Sequence, residues 1–223
     1  MTIPKFQKTI LTWYKENGRS LPWRKTKNPY RIMVSEIMLQ QTQVSRVRPK
    51  YKEFLQAFPS IEALANSKDS DLLAVWSGLG YWRRARFLKE ACKAILEHHN
   101  GKFPKDIPTL LTLPGIGPYT AGAIACFAFG NTSAFIDTNI RRVYLHFFFA
   151  DKENIPDSEI LPLAAKAVPE DNPAHWHWAL FDYGAMVLKD KKINRKSRHY
   201  AKQSKFEGSF RSYRAKALRF LLT

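Results

Sequence analysis

Apolar residues recur along most of this chain at spacings of three and four positions, the period of a helix that buries one face. In residues 4–17, for example, Phe6, Ile10 and Trp13 or Tyr14 form one stripe, and Gly18 follows as a C-terminal stop. Alternating strand patterns are absent from the sequence. We therefore predict an all-α protein, with helices over 4–17, 28–47, 69–78, 82–99, 106–112, 118–129, 138–148, 157–168, 173–188 and within 196–221.

Residues at the expected helix ends supply start and stop signals. Asn28 followed by Pro29 predicts an N-cap and a first helical position. We expect that helix to run to Val47, because proline at position 49 lacks the N–H that a helix interior needs. Asp69 is expected to cap the short helix that ends near Gly78. No Gly/Ser or Pro linker divides the chain.

Charge gives the first indication of a partner. The chain has 223 residues, with 36 Lys and Arg against 19 Asp and Glu, for a net charge of +17. From Lys189 onward there are twelve basic and two acidic residues, so +10 of the +17 lies in this last segment. Such a field favours a polyanion through counterion release, and it also suits anionic lipid or simple solubility.

Other features exclude whole classes of protein. No apolar stretch is long enough to span a bilayer, and the N-terminus lacks the apolar core of a secretory signal. Cys92 and Cys126 cannot make a disulfide framework, so we expect both to be buried small hydrophobes in a reducing cytoplasm. The expected location is cytoplasmic, at the nucleoid if the source is prokaryotic.

A glycine-rich turn over residues 113–118 lies between two of the expected helices. Gly115 and Gly117 allow a tight hairpin, and the amides that begin the following helix suit a phosphate. A GxG pair alone is a weak signal, but the small residues at 121, 122, 123 and 125 let the second helix pack closely. The turn therefore favours a helix-hairpin-helix that grips the DNA backbone without reading sequence.

Ordered motifs give the chain a family resemblance. Residues 113–124 (LPGIGPYTAGAI) and 135–143 (FIDTNIRRV) resemble the hairpin and aspartate signature of the endonuclease III-like DNA glycosylase superfamily. The chain is similar to one branch of it, the adenine DNA glycosylases of the MutY type, at residues 21–24 (LPWR), 28–31 (NPYR), 34–44 (VSEIMLQQTQV) and 78–86 (GLGYWRRAR).

This resemblance implies a helix-hairpin-helix DNA glycosylase fold, with two helical subdomains and an active-site cleft between them. The whole chain would form one catalytic unit. One subdomain would cover about residues 22–133 and contain the hairpin at 105–124. The other would combine residues 1–21 with 134–223, including the basic segment 189–223.

Breaking the bond between base and deoxyribose needs an acid near the base and a carboxylate near the sugar. Glu36 lies among apolar residues, where desolvation would raise the pKa of a carboxyl and suit it to proton donation. The resemblance implies that Glu36 protonates a leaving purine. Asp137 is expected to cap the next helix and stay ionised, and by resemblance it stabilises the sugar cation.

Tyr119 stands where related lyases carry the lysine that forms a Schiff base. The resemblance therefore implies base removal without efficient strand cleavage, with Tyr119 supporting Glu36 and Asp137. Gln41 and Tyr81 match residues that wedge into the stack opposite the extruded base. The resemblance places near the base pocket Arg19, Trp23, Arg24, Asn139 and Trp178, and it places against the DNA backbone Gly115, Gly117, Thr120, Arg83, Arg84, Arg86, Lys191, Arg195 and Arg198.

The sequence departs from the family at its C-terminal side. The family carries four cysteines there that ligate a four-iron cluster. The matching positions are Leu188, Arg195, Arg198 and Ser204, so we expect no iron-sulfur cluster. In the family, the cluster holds a basic loop, which here contains Lys191, Lys192, Arg195, Lys196 and Arg198. We expect packing by residues 206–214 and by Phe220 to hold this basic loop in place of the cluster. The chain also stops near the point where MutY enzymes begin a domain for 8-oxoguanine, so choice of the opposite base would rest on the wedge.

Trp178 is a further departure, because the family places Gln or Glu there to contact adenine. The expected activity is hydrolytic removal of a mispaired base, with adenine opposite 8-oxoguanine or guanine as the first candidate. Trp178 keeps open a thymine or uracil mismatch glycosylase of the same superfamily, whereas Glu36 favours a purine. The sequence is also compatible with a non-catalytic DNA-binding protein and with a bifunctional glycosylase that has lyase activity.

The expected partner is double-stranded DNA that contains a mismatch or damaged base, bound by a monomer, with no membrane partner. His98, His99, His175 and His177 lack accompanying carboxylates, so we expect them to be structural and predict no metal site from side chains. The resemblance leaves room for a monovalent cation at the hairpin carbonyls.

Overall fold

The computed structural model describes residues 1–201, 205 and 207–221, apart from the side chains of Lys191, Arg211, Leu218, Arg219 and Leu221. This part of the chain is helical, as predicted. It contains no helix long and apolar enough to cross a membrane. The helices are α1 (Ile3–Asn17), α2 (Pro29–Leu39), α3 (Val44–Ala57), α4 (Ile61–Ala65), α5 (Asp69–Trp76), α6 (Arg83–His99), α7 (Ile107–Leu110), α8 (Pro118–Phe129), α9 (Thr138–Phe148), α10 (Asp157–Ala167), α11 (Pro173–Met186) and α12 (Phe210–Leu221), with short 3-10 helices at Pro22–Arg24 and Lys191–Lys196.

The chain forms two compact units. Residues 25–121 and 202–223 make one, here called the hairpin unit, and residues 1–24 and 122–201 make the other, here called the aspartate unit. The sequence analysis placed residues 122–133 with the hairpin and residues 202–223 with the other subdomain. In the structure, residues 122–133 belong to the aspartate unit and residues 202–223 to the hairpin unit. The division falls inside α8, because the apolar second half of this helix packs in the aspartate unit.

The hairpin unit is built around α2, which is apolar on nearly every side and is buried over residues 32–38. Helix α3 packs against it and buries Val47, Tyr51 and Phe54 at helical spacing. The ring centroid of Phe54 lies 5.8 Å from that of Trp76, a fully buried side chain on α5. These contacts give the hairpin unit its own aromatic core.

The aspartate unit packs around Phe6 of α1. The ring of this fully buried residue lies 5.1–5.4 Å from four others, those of Tyr144, Phe147, Phe148 and Trp176. The predicted stripe of α1 is confirmed, since Phe6, Ile10 and Tyr14 are its buried residues. Helix α11 packs against both α1 and α9, and so forms the centre of the unit.

Several predicted helix ends are confirmed. The Asn28 side chain accepts a hydrogen bond from the backbone N–H of Arg31, with Pro29 in the first turn. Helix α6 ends at Asn100, whose φ of 50° is left-handed, and Gly101 follows at 73°. Asp69 is different: it begins α5 without capping it, and its carboxylate instead lies 2.5 Å from the ammonium group of Lys89.

The prediction of one helix from 28 to 47 is wrong. Helix α2 ends at Leu39, a turn follows, and α3 runs from Val44 straight through Pro49. Proline removes the N–H that would bond the carbonyl of Ser45. Both Ser45 and Pro49 are exposed, so water can bind that carbonyl and the helix continues.

The described aromatic side chains among residues 206–214, and Phe220, which were expected to hold the basic loop, are largely exposed. Phe206 lies outside the described residues, and Phe210, Tyr213 and Phe220 are 78%, 61% and 82% exposed. Side chains so exposed bury too little apolar surface to hold a segment in place.

Backbone pairing and one arginine hold the loop within the aspartate unit. Ile155 donates to the Lys196 carbonyl at 2.8 Å and accepts from the Arg198 N–H at 2.9 Å, which forms an isolated parallel bridge. The buried guanidinium of Arg142 donates to Asn194 Oδ1 at 2.9 Å and to the carbonyls of Gly184 and Leu188 at 2.7 and 3.2 Å. Arg142 therefore ties α9 to the end of α11 and to the loop.

We expect Arg142→Met to lower the free energy of unfolding by about 2–4 kcal/mol, because it leaves buried carbonyl groups without donors. Urea unfolding measures this loss, and trypsin cleavage within residues 189–198 should become faster. Lys192→Met changes an exposed cation of the same loop and should shift stability by less than about 0.5 kcal/mol. Equal urea midpoints for the two variants would contradict the role given to Arg142.

Candidate active site

Glu36 and Tyr119 meet inside the hairpin unit. Glu36 lies on the buried helix α2 and is only 3% exposed. Tyr119, in the first turn of α8, donates its phenolic hydrogen to Glu36 Oε2 at 2.5 Å. This short contact fixes the position of a carboxyl in an apolar setting, which is the environment a general acid needs.

Asp137 and Asn139 meet in the aspartate unit. Asp137 caps α9, as predicted, by accepting a hydrogen bond from the Ile140 N–H at 2.7 Å. Its other oxygen accepts from Asn139 Nδ2 at 3.0 Å. Gly184 of α11 packs on this point, because a Cβ there would lie 2.5 Å from the Asn139 carbonyl oxygen. Close packing by α11 thus holds the turn that carries Asp137.

Burial changes the expected electrostatics of Asp137. The sequence led us to expect a carboxylate kept ionised by its helix N-terminus. Desolvation by burial is the largest influence and raises the pKa of Asp137 above its ordinary 3.8, although the hydrogen bonds from Ile140 and Asn139 act to lower it. The anionic form of this carboxyl is therefore destabilised by its surroundings, and a nearby positive charge would stabilise it.

Asp182 is a site residue that the sequence analysis missed. It is fully buried on α11 and accepts from the backbone N–H and Nε of Arg19 and from both terminal nitrogens of Arg24, each at 2.8 Å. Burial acts to raise the pKa of Asp182, but the bonds from Arg24 and Arg19 outweigh it and hold the pKa below 3.8. The signal in the sequence was an aspartate inside the apolar run of residues 178–184.

The expected base-pocket residues Arg19 and Arg24 are thus fixed by Asp182. The Arg24 guanidinium also lies 5.8 Å from the ring centroid of Trp178, within cation–π range. Trp178 is partly exposed, and its ring lies 5.5 Å from that of Phe127. Trp23 is buried at 5% exposure. Trp178 of α11 therefore presents a partly exposed ring beside the Arg24 guanidinium, whose side chain is only 7% exposed.

The hairpin of residues 113–117 packs on helix α6. Gly115 has a φ of 76°, and a Cβ there would lie 2.6 Å from Phe87 Cβ, so both the backbone and the space require glycine. Thr120 is only 2% exposed, and its hydroxyl accepts from Gln40 Nε2 at 3.3 Å. Its side chain is therefore inside the unit, and only its amide is suited to contact a phosphate. Gly117 is partly exposed.

The remaining predicted positions separate into exposed and buried groups. Gln41 and Tyr81 are exposed. Arg84 is 8% exposed, so the expectation that it faces phosphate is wrong, and its bonding is described below. The exposed predicted backbone contacts are Gly115, Arg83, Arg86, Arg195 and Arg198, while the side chain of Lys191 lies outside the described residues.

The cysteine and histidine side chains of the described residues do not form a metal site. Cys92 and Cys126 are both buried, as predicted. His177 Nδ1 lies 2.8 Å from the Pro173 carbonyl and 3.7 Å from Cys126 Sγ, and burial lowers the pKa of His177 to about 4. No group of three or more His, Cys, Asp or Glu side chains in this part of the chain could hold a metal.

The residues at the family's cluster positions do not fit an iron-sulfur cluster. Leu188 is buried and apolar, and Arg195 and Arg198 are exposed cations. Ser204 lies outside the described residues. Because the whole chain has two cysteines, one in each unit, it cannot supply four thiolates at one place.

Comparisons with known proteins agree with this geometry. Residues 34–170 match the family described as HhH-GPD superfamily base excision DNA repair protein. The chain is 42% identical over 192 residues to an adenine DNA glycosylase of Buchnera aphidicola, covering 84% of this chain and 54% of the relative. It is 39% identical over 180 residues to an adenine DNA glycosylase of Mycolicibacterium smegmatis, covering 80% of this chain and 61% of the relative.

A solved structure adds a second kind of relative. A thermostable thymine-DNA glycosylase is similar with a TM-score of 0.79 and 29% identity, over 85% of this chain and 89% of that one. The chain spans only a little over half the length of the first curated relatives it matches. The family match covers more than half of the chain, and the fold and hairpin agree with it. This chain belongs to the HhH-GPD superfamily of base excision DNA repair proteins.

Proposed function

We propose that this chain is a DNA glycosylase that removes adenine from mispaired double-stranded DNA by hydrolysis, as a monomer. The observation that carries the proposal is the buried Glu36 carboxyl held at 2.5 Å by the Tyr119 hydroxyl. A protein that only binds DNA has no use for a buried acid fixed in this way. Identity of 42% to an adenine DNA glycosylase supports adenine as the base.

In the proposed reaction, Glu36 donates a proton to the purine of an extruded deoxyadenosine. The C1′–N9 bond then breaks, and its electron pair leaves with the base. The Asp137 carboxylate stabilises the positive charge that forms on the sugar. Water adds to C1′, and its proton passes to the Glu36 carboxylate, which restores the acid. Tyr119 has no amine to attack C1′, so the product is an abasic site in an intact strand.

DNA binding in this proposal rests on charge and on the hairpin. The net charge of +17 favours a polyanion, and the hairpin amides at the start of α8 suit a phosphate. The loop of residues 188–198 would add Arg195 and Arg198 without an iron-sulfur cluster, since Arg142 and Ile155 hold it. We therefore propose excision that needs no metal cluster.

Trp178 supports a second candidate, the removal of thymine or uracil opposite guanine. An aromatic ring beside Arg24 can stack on any base, whereas adenine selection usually uses a hydrogen-bonding side chain. The structural similarity to a thymine-DNA glycosylase points the same way. The two candidates differ in their need for Glu36, because pyrimidines leave without protonation of a purine ring nitrogen.

We expect Glu36→Gln to slow adenine excision by about 10²–10⁴-fold, since it removes the proton donor and keeps the shape of the side chain. Tyr119→Phe, which deletes only the hydroxyl, should slow it by about tenfold. Single-turnover kinetics on an adenine:8-oxoguanine duplex measures both rates. Glu53→Gln, at an exposed position of α3, is the control. Unchanged rates for Glu36→Gln would remove the assigned acid.

Asp137→Asn should slow excision strongly and yet stabilise the fold at neutral pH. The variant keeps a helix-capping acceptor and removes a partly buried carboxylate whose pKa is raised by desolvation, so the free energy of unfolding should increase. The gain should shrink as pH falls towards 3.8, because the wild-type carboxyl is then protonated. Excision rates should drop by about 10²–10³-fold.

Asp157→Asn is the matched control, because the pKa of Asp157 is shifted in the opposite direction to that of Asp137. Burial acts to raise the pKa of Asp157, but its paired hydrogen bonds with Arg141, at 2.6 and 2.7 Å, hold that pKa below 3.8. This substitution should lower the free energy of unfolding at neutral pH and leave excision unchanged. If both variants are destabilised, the assignment of Asp137 as a desolvated charge held for catalysis is wrong.

A panel of duplexes tests the choice of base. Adenine opposite 8-oxoguanine or guanine should give strand breaks only after treatment with hot alkali, in buffer containing a metal chelator. Borohydride should trap no covalent adduct. Breaks at thymine or uracil opposite guanine would favour the second candidate, an adduct would show a lyase, and a shifted but intact duplex would show a binding protein.

A further inference from the structure

Two turns of the hairpin unit share an unusual backbone conformation. Gln41, between α2 and α3, has a φ of 56°, and Tyr81, just before α6, has a φ of 48°. Side chains with a Cβ rarely adopt this left-handed region, and the other non-glycine residues that do so in the described chain are both Asn, which tolerates it best. Both Gln41 and Tyr81 are exposed. Something in the unit must hold them there.

One guanidinium group bonds to both turns. Six oxygen atoms accept hydrogen bonds from the two terminal nitrogens of Arg84, whose four N–H groups are therefore partly shared between neighbouring acceptors. On the first turn it bonds the carbonyls of Ile37, Met38 and Gln40 at 2.9, 2.8 and 2.5 Å and the Thr42 hydroxyl at 3.0 Å. On the second turn it bonds the carbonyls of Leu79 and Gly80, each at 3.1 Å.

The positions of these bonds explain the two left-handed residues. Arg84 holds the carbonyl immediately before Gln41, that of Gln40, and the carbonyl immediately before Tyr81, that of Gly80. The carbonyls of Ile37 and Met38 belong to the last turn of α2, where a cation is favourable. The Thr42 hydroxyl also bridges the Gln40 and Leu79 carbonyls at 3.4 and 3.5 Å.

Arg84 is held rigidly itself. It lies on α6, is 8% exposed, and its guanidinium carbon stands 5.4 Å from the ring centroids of both Trp76 and Tyr81. Desolvation lowers the pKa of Arg84 to about 10, so the group stays charged at neutral pH. A buried cation with so many carbonyl partners has a structural role inside the unit and is not placed to contact a phosphate at the surface.

We propose that Arg84 is a positioning residue that sets Gln41 and Tyr81 at a fixed separation before DNA binds, so that both can enter the base stack together. This inference rests on the proposed function and on the wedge role that the family resemblance implies for Gln41 and Tyr81, in which the two side chains replace the pairing and stacking of the extruded nucleotide. A preset wedge lowers the entropy lost on binding, since neither turn has to be ordered by the DNA.

The test compares Arg84→Lys with Lys89→Met. The lysine variant keeps the charge, but its ammonium group has three donors and cannot span six acceptors on two turns. Lys89 is the matched control, because it is also a buried cation on α6 and donates to the Ser67 carbonyl at 2.6 Å, away from both turns. Urea unfolding first establishes the fraction of each variant that is folded.

Excision is then measured on two duplexes. One carries adenine opposite 8-oxoguanine, and the other carries adenine opposite an abasic site, where no base pair must be broken. Arg84→Lys should slow excision by about tenfold or more on the paired duplex and by no more than about twofold on the other. Lys89→Met should match the wild type on both. Equal losses on the two duplexes, or no loss, would overturn the proposal.

Hydrogen exchange of the free proteins separates this proposal from the proposed function. Amides of residues 39–43 and 79–83 should lose protection together in Arg84→Lys and keep it in Lys89→Met. If the wild type removes no base from any duplex, the proposed function fails, and loss of protection would still show that Arg84 sets the turns. Unchanged protection in Arg84→Lys would overturn the positioning role whatever the enzyme assay shows.

Discussion

Every interruption of a helix leaves backbone carbonyls that need hydrogen-bond donors, and in this chain buried guanidinium groups supply many of them. Arg84 bonds the carbonyls where α2 ends and where α6 begins. Arg142 does the same where α11 ends, for Gly184 and Leu188. A planar group with five donors suits this task better than an ammonium, because it can reach several acceptors at fixed angles. The irregular segments that the proposed function uses depend on these bonds.

Two aspartates of the aspartate unit show how partner chemistry decides a pKa. Both are desolvated, and for both burial acts to raise the pKa. Asp182 has guanidinium donors from Arg19 and Arg24, so the charged form is favoured and the pKa is lowered. Asp137 has only neutral amide donors, and burial dominates. The first carboxylate is thus paired directly with two guanidinium groups. The second is bonded by neutral amides alone, and the charge of Arg141 does not outweigh its desolvation, so an added positive charge would stabilise its anion, as the proposed stabiliser of a sugar cation requires.

The basic loop illustrates how a segment can be fixed without a metal centre. In place of cysteine ligands it has a two-bond bridge to Ile155 and a side-chain amide, Asn194, bonded to Arg142. Each of these bonds is weak in water, but together with two buried carbonyls they give the loop a defined path along α9. Arg195 and Arg198 are exposed on this path.

The sequence by itself determined the helical class, the family and most helix ends, because these depend on local patterns such as Asn28 with Pro29, or the cap at Asp137. It also excluded four thiolate ligands, since a count of cysteines needs no coordinates. Only the tertiary structure decided the break in the helix expected over 28–47, the burial of Arg84 and the pairing of Asp182 with Arg24, which stands 158 residues away. The physical reason is that a desolvated charge or carbonyl is tolerated only where a partner reaches it, and the chain brings those partners from distant helices.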